Sequence, residues 1–205
     1  TYAPGVAVQA KNEYVYFNAI IIDAKGGPNT GFGTVGDGKW WAAAQFGYSP
    51  QFIDEQDFKT NWAVMVAGTN WGLESNGSGL VNGDTSGYGF GVMFEQQIGP
   101  SVGLLLEYGA SQDALSPIEQ IANVAVGITN PFGRPSDYFG TALSWSKPSG
   151  AYAPERREEI FFETFYRIQL TSSWELTPDI QVLFQPATGD PDPIVIFGLR
   201  MRTQF

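Results

Sequence analysis

The chain has 205 residues, of which 43% are hydrophobic and only 16% are charged, and its formal net charge at pH 7 is −10. Its 11 Lys and Arg residues are scattered rather than clustered, which excludes nucleic-acid binding. The sequence contains no Cys and no His. Ser-His-Asp and Cys-His catalysis and the usual zinc sites are therefore excluded, and we expect neither a metal nor a cofactor.

Alternation of apolar and polar residues, bounded by Gly, Pro, Asn and Asp, predicts a chain built almost entirely of β-strands. Only 49–58 (SPQFIDEQDF) has a pattern compatible with a short helical turn. No stretch approaches the roughly 18 uninterrupted apolar residues of a transmembrane helix. In chain order, about eleven strands are predicted at 5–10, 13–23, 39–48, 60–71, 87–98, 101–110, 118–128, 137–145, 158–171, 174–185 and 193–204.

The connections between the predicted strands alternate between longer and shorter segments. The long connections at 26–38, 72–86 and 146–157 fall on the side opposite to the C-terminus. Outer-membrane barrels have long external loops, short periplasmic turns and a periplasmic C-terminus. The alternation therefore favours an antiparallel transmembrane β-barrel over a soluble β-sandwich, in which the two sides follow no such rule.

All six tryptophans lie close to a predicted strand end, and none lies in the middle of a strand. Membrane barrels concentrate Trp and Tyr at the two membrane interfaces, where an amphipathic ring is half hydrated. The alternative explanation is that the tryptophans mark the rims of a soluble β-core. We predict a membrane-interface belt formed by Trp40, Trp62, Trp71, Trp145 and Trp174.

The strand sequences separate into an apolar face and a polar face. In EEIFFETFYRIQL, Ile160, Phe162 and Tyr166 alternate with Glu163 and Arg167. The same alternation occurs in GYGFGVMFEQQIG (87–99) and in the strands that follow it. This pattern is typical of strands with one face in lipid and the other towards a hydrated lumen.

The C-terminal sequence carries a family resemblance. REEIFFETFYRIQLTSSWELTPDIQVLFQP, followed by DPIVIFGLRMRTQF, resembles the C-terminal part of the carbohydrate-selective porins of the OprB family. The segment 178–181 (PDIQ) together with Pro186 is the most specific piece. NEYVYFNAIIIDAK and GYGFGVMFEQQIG are similar to the family more loosely, so the resemblance covers most of the chain.

The resemblance implies a passive, non-enzymatic, sugar-conducting pore of about sixteen strands in the outer membrane of a Gram-negative bacterium. About eleven strands is too few for that barrel, and a single-chain barrel of this kind needs an even number. Residues 1–205 are therefore expected to form the C-terminal portion of a single β-barrel domain from which N-terminal strands are missing. The alternative, that the chain is a family member with a natively shorter barrel, remains open. Outer-membrane lipid and small saccharides are the expected partners, and a homo-oligomer is possible.

The last strand, PIVIFGLRMRTQF, has apolar residues at alternate positions and ends on Phe205. This ending resembles the C-terminal signal that the outer-membrane assembly machinery recognises. We therefore expect Phe205 to serve as an assembly signal, and the assembly machinery to be a further partner.

Residues on the polar face are the candidates for sugar binding. Pairing of 158–171 with 174–185 around Ser172 predicts Glu163 opposite Gln181, and pairing with the last strand predicts Arg200 near Thr177 and Arg202 near Glu175. Acids, guanidinium groups and amides together can replace the water shell of a neutral sugar without holding it tightly. The lumen candidates are Glu95, Glu107, Glu163, Arg167, Glu175, Asp179, Gln181, Arg200 and Arg202.

Two other classes of protein remain open from the sequence. A soluble all-β carbohydrate-binding protein or glycoside hydrolase could use Glu159 with Glu163, or Glu95 with Glu107. Residues four apart on a strand stand about 13 Å apart, however, so each hydrolase pair would need a partner from another strand. A structural outer-membrane barrel without transport is the second alternative, and it predicts a plugged lumen.

Overall fold

The computed structural model describes residues 3–27, 29–50, 58–75, 80–151, 157–186 and 192–204. Single 3₁₀ turns occur there at Val35–Asp37 and Pro131–Gly133. No helix in this part of the chain is long and apolar enough to cross a membrane. The strands are β1 (Gly5–Lys11), β2 (Val15–Asp23), β3 (Trp40–Tyr48), β4 (Asn61–Thr69), β5 (Gly72–Ser75), β6 (Leu80–Gly83), β7 (Gly87–Ile98), β8 (Val102–Ser111), β9 (Ile118–Thr129), β10 (Tyr138–Pro148), β11 (Glu159–Thr171), β12 (Trp174–Phe184) and β13 (Ile194–Thr203).

Eleven of these strands form one antiparallel sheet in the order β1-β2-β3-β4-β7-β8-β9-β10-β11-β12-β13, so strands consecutive in the chain pair with each other except where β5 and β6 intervene between β4 and β7. The predicted all-β antiparallel architecture is confirmed, and the eleven predicted strands have nearly the same bounds. The hairpin of β5 and β6 was not predicted and forms a separate two-stranded sheet. Each of its strands has 4 residues, too few for a period of two to be recognised.

The connections lie on two sides of the sheet. On the near side, where β13 ends, lie the tight links 12–14, 99–101 and 172–173, and also 49–60 and 130–137. On the far side lie 24–39, 70–86, 112–117, 149–158 and 185–193. The three shortest links thus share one side, as predicted. The helical turn predicted within 49–58 falls largely on 51–57, outside the described residues.

The sheet has an apolar face and a polar face, but almost no apolar core. Large side chains on the apolar face are strongly exposed, including Tyr88 at 67% and Phe197 at 77%. Among the described residues, Ala63 and Ala114 are the only buried hydrophobic ones. A soluble sandwich would bury such a face against a second layer, so the soluble reading is wrong for this fold. The apolar face requires an apolar solvent.

Two strands form the edges of the sheet. β1 pairs with β2, and β13 pairs with β12, but β1 and β13 do not pair with each other within the described residues. Within the part of the chain that the structure describes, the sheet is therefore open at both edges.

Candidate functional site

The polar face of β11, β12 and β13 has the predicted register. Glu163 lies opposite Gln181, Glu175 lies opposite Arg202, and Thr177 lies opposite Arg200. The two-residue link 172–173 fixes the register of β11 with β12, and in both pairings a slip by one residue would turn the apolar residues to the wrong face. The three strands line a charged hollow of about 260 Å³, formed by Tyr138, Glu163, Phe165, Arg167, Glu175, Thr177, Asp179, Arg200 and Arg202.

Pro178 interrupts the ladder beneath the charged hollow. Pairing between β11 and β12 runs to Phe165 and resumes at Ile168, so Tyr166 and Arg167 lack a partner in β12, although both pair with β10. Proline has no backbone N–H to donate to a neighbouring strand. The segment PDIQ, the most specific piece of the sequence pattern, therefore places a gap in the ladder at the level of Arg167.

Within the charged hollow, carboxylates are partnered more completely than cations. Gln181 Nε2 donates to Glu163 Oε1 at 3.4 Å and to Asp179 Oδ1 at 3.3 Å. Neither Arg167 nor Arg200 takes part in an ion pair formed within the described residues. The Arg167 Nε atom is buried and has no hydrogen-bond partner in that part of the chain. Both guanidinium groups line the charged hollow, so their terminal N–H groups can donate to a hydroxyl of a solute.

A row of glycines crosses the polar face beside the charged hollow. Gly103, Gly127 and Gly140 lie directly opposite one another on β8, β9 and β10, and we call them the glycine row. A Cβ atom on Gly103 would stand 2.5 Å from Phe58 Cγ, and one on Gly140 would stand 2.5 Å from Phe165 Cε1. The absence of side chains in the glycine row therefore makes room for aromatic rings.

Those rings belong to Phe58, Tyr138 and Phe165, which together form the aromatic strip. The ring centres of Phe58 and Tyr138 are 6.0 Å apart, and those of Tyr138 and Phe165 are 5.7 Å apart. The aromatic strip borders a second hollow of about 220 Å³, the aromatic hollow, whose lining includes Glu95 and Glu163. Glu163, Tyr138 and Phe165 line both hollows, so the two are contiguous.

Phe58 reaches the polar face from the near-side connection 49–60. Its backbone N–H donates to Gln97 Oε1 at 3.1 Å, and Gln97 is only 3% exposed. The Gln97 amide in turn donates to the Gly99 carbonyl at 2.9 Å, in the link after β7. The position of Phe58 is therefore fixed by the neighbouring turn.

The aromatic strip was not predicted from the sequence. Phe58 lies outside any predicted strand, so alternation could not assign it to a face. Phe165 is two residues from both Glu163 and Arg167 on the same strand. Because side chains two residues apart on a strand point to the same face, the alternation alone could have placed Phe165 on the polar face. Glycines at matching levels of three adjacent strands were a second such signal.

The remaining lumen candidate, Glu107, lies on the polar face outside both hollows, where it accepts a hydrogen bond from Asn123 Nδ2 at 3.1 Å. No cluster of His, Cys, Asp or Glu among the described residues could hold a metal ion. The participation of Glu107 and the eight other candidates in sugar binding stays a prediction.

The predicted tryptophan belt occupies two levels. Trp40 and Trp145 lie at the far side of the apolar face, whereas Trp62 and Trp174 lie at the near side. Trp71 lies in the connection after β4, where the Lys25 Nζ is 4.8 Å from its ring centre. The role of all five as a membrane belt stays a prediction. Phe205, the predicted assembly signal, lies outside the described residues, and its role stays a prediction.

The near-side connection 130–137 is fixed to β11 by a buried carboxylate. Asp137, 3% exposed, accepts hydrogen bonds from Arg134 Nε at 2.5 Å, from the Tyr166 hydroxyl at 2.8 Å and from the Gln169 N–H at 3.0 Å. The Arg134 guanidinium lowers the pKa of the Asp137 carboxyl below its ordinary value, and the Gln169 and Tyr166 donors act in the same direction. This contact supports β11 next to the gap opposite Pro178.

Comparison with known proteins agrees with this architecture. The family model described as carbohydrate-selective porin, OprB family, matches residues 1–205. No curated protein matches the chain. The high-pH structure of Pseudomonas putida OprB is similar in fold, with a TM-score of 0.75 at 14% identity, over 98% of this chain and 58% of that chain. The chain belongs to the OprB family of carbohydrate-selective porins.

Proposed function

We propose that the chain forms part of the wall of a passive pore through which sugars and other small hydrophilic solutes diffuse. The observation that supports this function is the contrast between the two faces of one sheet. The apolar face is continuous and exposed, while the polar face carries contiguous hollows lined by acids, guanidinium groups and aromatic rings. A wall of this kind separates lipid from a hydrated lumen.

Family membership places the protein in the outer membrane of a Gram-negative bacterium. In lipid, the unpaired backbone groups at the edges of β1 and β13 would be costly. We propose that further strands pair with these edges and close the barrel. The chain spans 58% of the P. putida OprB chain, in keeping with a wall that continues beyond eleven strands. The assembly machinery and a second copy of the protein are proposed partners.

The chemistry of the charged hollow suits neutral, hydroxyl-rich solutes. A sugar hydroxyl can donate to Glu175 or Asp179 and accept from Arg167 or Arg200. Both cations and carboxylates are present, so neither sign of ion is strongly concentrated, and weak interactions allow rapid passage. Glu159 and Glu163 are four residues apart on one strand, a separation of about 13 Å that exceeds the distance between the carboxylates of a glycosidase. This separation excludes that pair only, because Glu95 and Glu107 lie on the neighbouring strands β7 and β8. We propose a pore rather than an enzyme because the chain belongs to a family of porins.

The test is to reconstitute the full-length protein that carries this chain in a planar lipid bilayer and to record single-channel currents with and without glucose. We expect stepwise conductance that glucose reduces in a concentration-dependent manner. Stable insertion without conductance would contradict the proposal and favour a structural barrel with a plugged lumen.

A further inference from the structure

We propose that the aromatic strip of Phe58, Tyr138 and Phe165 is a stacking surface for the C–H faces of pyranose rings, and that it makes the pore prefer ring sugars to open-chain polyols of similar size. This inference rests on the proposed function and names the chemical feature of the solute that one part of the wall recognises.

The rings lie across the wall rather than standing out from it. The Cβ position of Gly103 is 2.5, 2.6 and 3.0 Å from Phe58 Cγ, Cδ1 and Cδ2, and that of Gly127 is 2.8 and 3.0 Å from Cε1 and Cζ of the same ring. Because the Cγ end of the Phe58 ring is this close to the Cβ position of Gly103 and its Cζ end to that of Gly127, the ring spans both glycines. Phe165 covers Gly140 with Cε1 and Cζ in the same way.

The Phe58 and Phe165 rings therefore lie against the glycine row, whereas Tyr138 meets Gly127 with its hydroxyl. All three side chains are partly exposed rather than buried. The Tyr138 and Phe165 rings are inclined by only 29° with their centres 5.7 Å apart, so they partly overlap, and all three rings line the aromatic hollow. Rings that served only to stabilise the sheet would be covered on both faces, as in a packed core.

The groups around the aromatic strip complement the rim of a sugar ring. The C–H bonds on the face of a pyranose carry a small positive charge, which is attracted to the negative face of an aromatic ring. Its equatorial hydroxyls point outwards, towards Glu95 and Glu163 along the aromatic hollow and towards Arg167, whose guanidinium carbon lies 5.2 Å from the Tyr138 ring centre. A single sugar ring can therefore contact the apolar aromatic strip with its face and the charged groups around it with its hydroxyls.

An open-chain polyol offers the same hydroxyls without a rigid C–H face. To stack on the aromatic strip it must first fix several rotatable bonds, which costs conformational entropy that a pyranose does not lose. The aromatic strip therefore discriminates by shape and rigidity, while the charged hollow responds to hydroxyls in either kind of solute.

The experiment uses the full-length protein in planar bilayers, with methyl glucopyranoside as the ring probe and sorbitol as the open-chain probe. For each channel, the current at each probe concentration is divided by the sugar-free current of that same channel. In the unaltered protein we expect the glucoside to halve the current at a concentration about threefold or more below that of sorbitol. Phe165→Leu and Phe58→Leu should each largely remove this difference by weakening the effect of the glucoside.

Phe162→Leu is the matched control, because it makes the same change on the same strand but on the apolar face. It should leave both concentration dependences as they are in the unaltered protein. Phe58 lies in a connection rather than a strand, so its variant keeps the test available if Phe165→Leu does not assemble.

An unchanged preference for the glucoside in either conducting variant would overturn the stacking surface and leave the sugar pore intact. Equal sensitivity of the unaltered channel to the glucoside and to sorbitol would also overturn the stacking surface while leaving the sugar pore intact. Unaltered channels that neither probe affects would overturn the proposed sugar passage together with the stacking surface.

Discussion

The guanidinium of Arg202 lies 3.6 Å from the carboxylate of Glu175 across the pairing of β12 with β13. Both groups line the charged hollow, so we expect both to act on ions that pass through the pore. Arg202→Gln should shift ion selectivity towards cations, and Glu175→Gln should shift it towards anions, each by roughly twofold in the permeability ratio. The reversal potential in a KCl gradient measures these shifts.

The double variant is the control for this pair. Because it removes one positive and one negative charge, its reversal potential should return close to that of the unaltered protein. Single variants that both leave the potential unchanged would mean that the charged hollow does not face the conducting path.

The buried carboxylate of Asp137 predicts an acid-sensitive contact on the near side. Its lowered pKa means that the folded protein favours the ionised form, so the stabilisation is complete above the ordinary pKa of Asp, about 4, and is lost as the pH falls through the lower folded value. Asp137→Asn should lower the urea concentration of half-unfolding at pH 7, and the difference from the unaltered protein should shrink in acid. Unfolding in detergent micelles, followed by circular dichroism, measures both.

Asp84→Asn serves as the comparison, because Asp84 pairs with Lys39 at a side chain that is 71% exposed, where an ion pair contributes little. An Asp137→Asn variant no less stable at pH 7 than Asp84→Asn would show that the Arg134, Tyr166 and Gln169 donors do not stabilise this connection.

Much of the sheet follows from local sequence. The strands were predictable because each has one face in contact with an apolar medium, which imposes a strict period of two. The pairing of Glu163 with Gln181 was predictable because the link 172–173 is too short to allow another register. The assignment of Glu175, Arg200 and Arg202 to one face followed from the alternation of apolar and polar residues along β12 and β13.

The aromatic strip was not predictable in the same way, because it depends on contacts between parts of the chain that are far apart in sequence. Phe58 is placed by a hydrogen bond to Gln97, thirty-nine residues later, and alternation carries no information about such a contact. The glycine row acquires its meaning only when three strands are aligned. The consequence of Pro178 likewise depends on its neighbour in β11 rather than on its own strand.

Close packing of the aromatic strip predicts that the glycine row tolerates no side chain. A Cβ atom on Gly127 would contact the Tyr138 hydroxyl and lie 2.8 Å from Phe58 Cε1. Gly127→Ala should therefore displace a ring and destabilise the protein by about 1–3 kcal/mol, measured by urea unfolding. Gly91→Ala, also on the polar face, meets nothing nearer than 3.7 Å and should be neutral or slightly stabilising. Equal stability of the two variants would contradict the tight contact with the aromatic strip.

Neighbouring residues in the middle of β9 test which face meets lipid. Val124 lies on the apolar face with 37% of its surface exposed, while Asn123 lies on the polar face and donates to Glu107. Val124→Lys should cost about 2–4 kcal/mol of stability in liposomes, because a charge near the middle of the membrane loses its hydration. Asn123→Lys adds the same charge beside a carboxylate and should cost far less. Folding yield and urea unfolding in lipid vesicles measure the difference, and equal costs would mean that the apolar face is not the one in lipid.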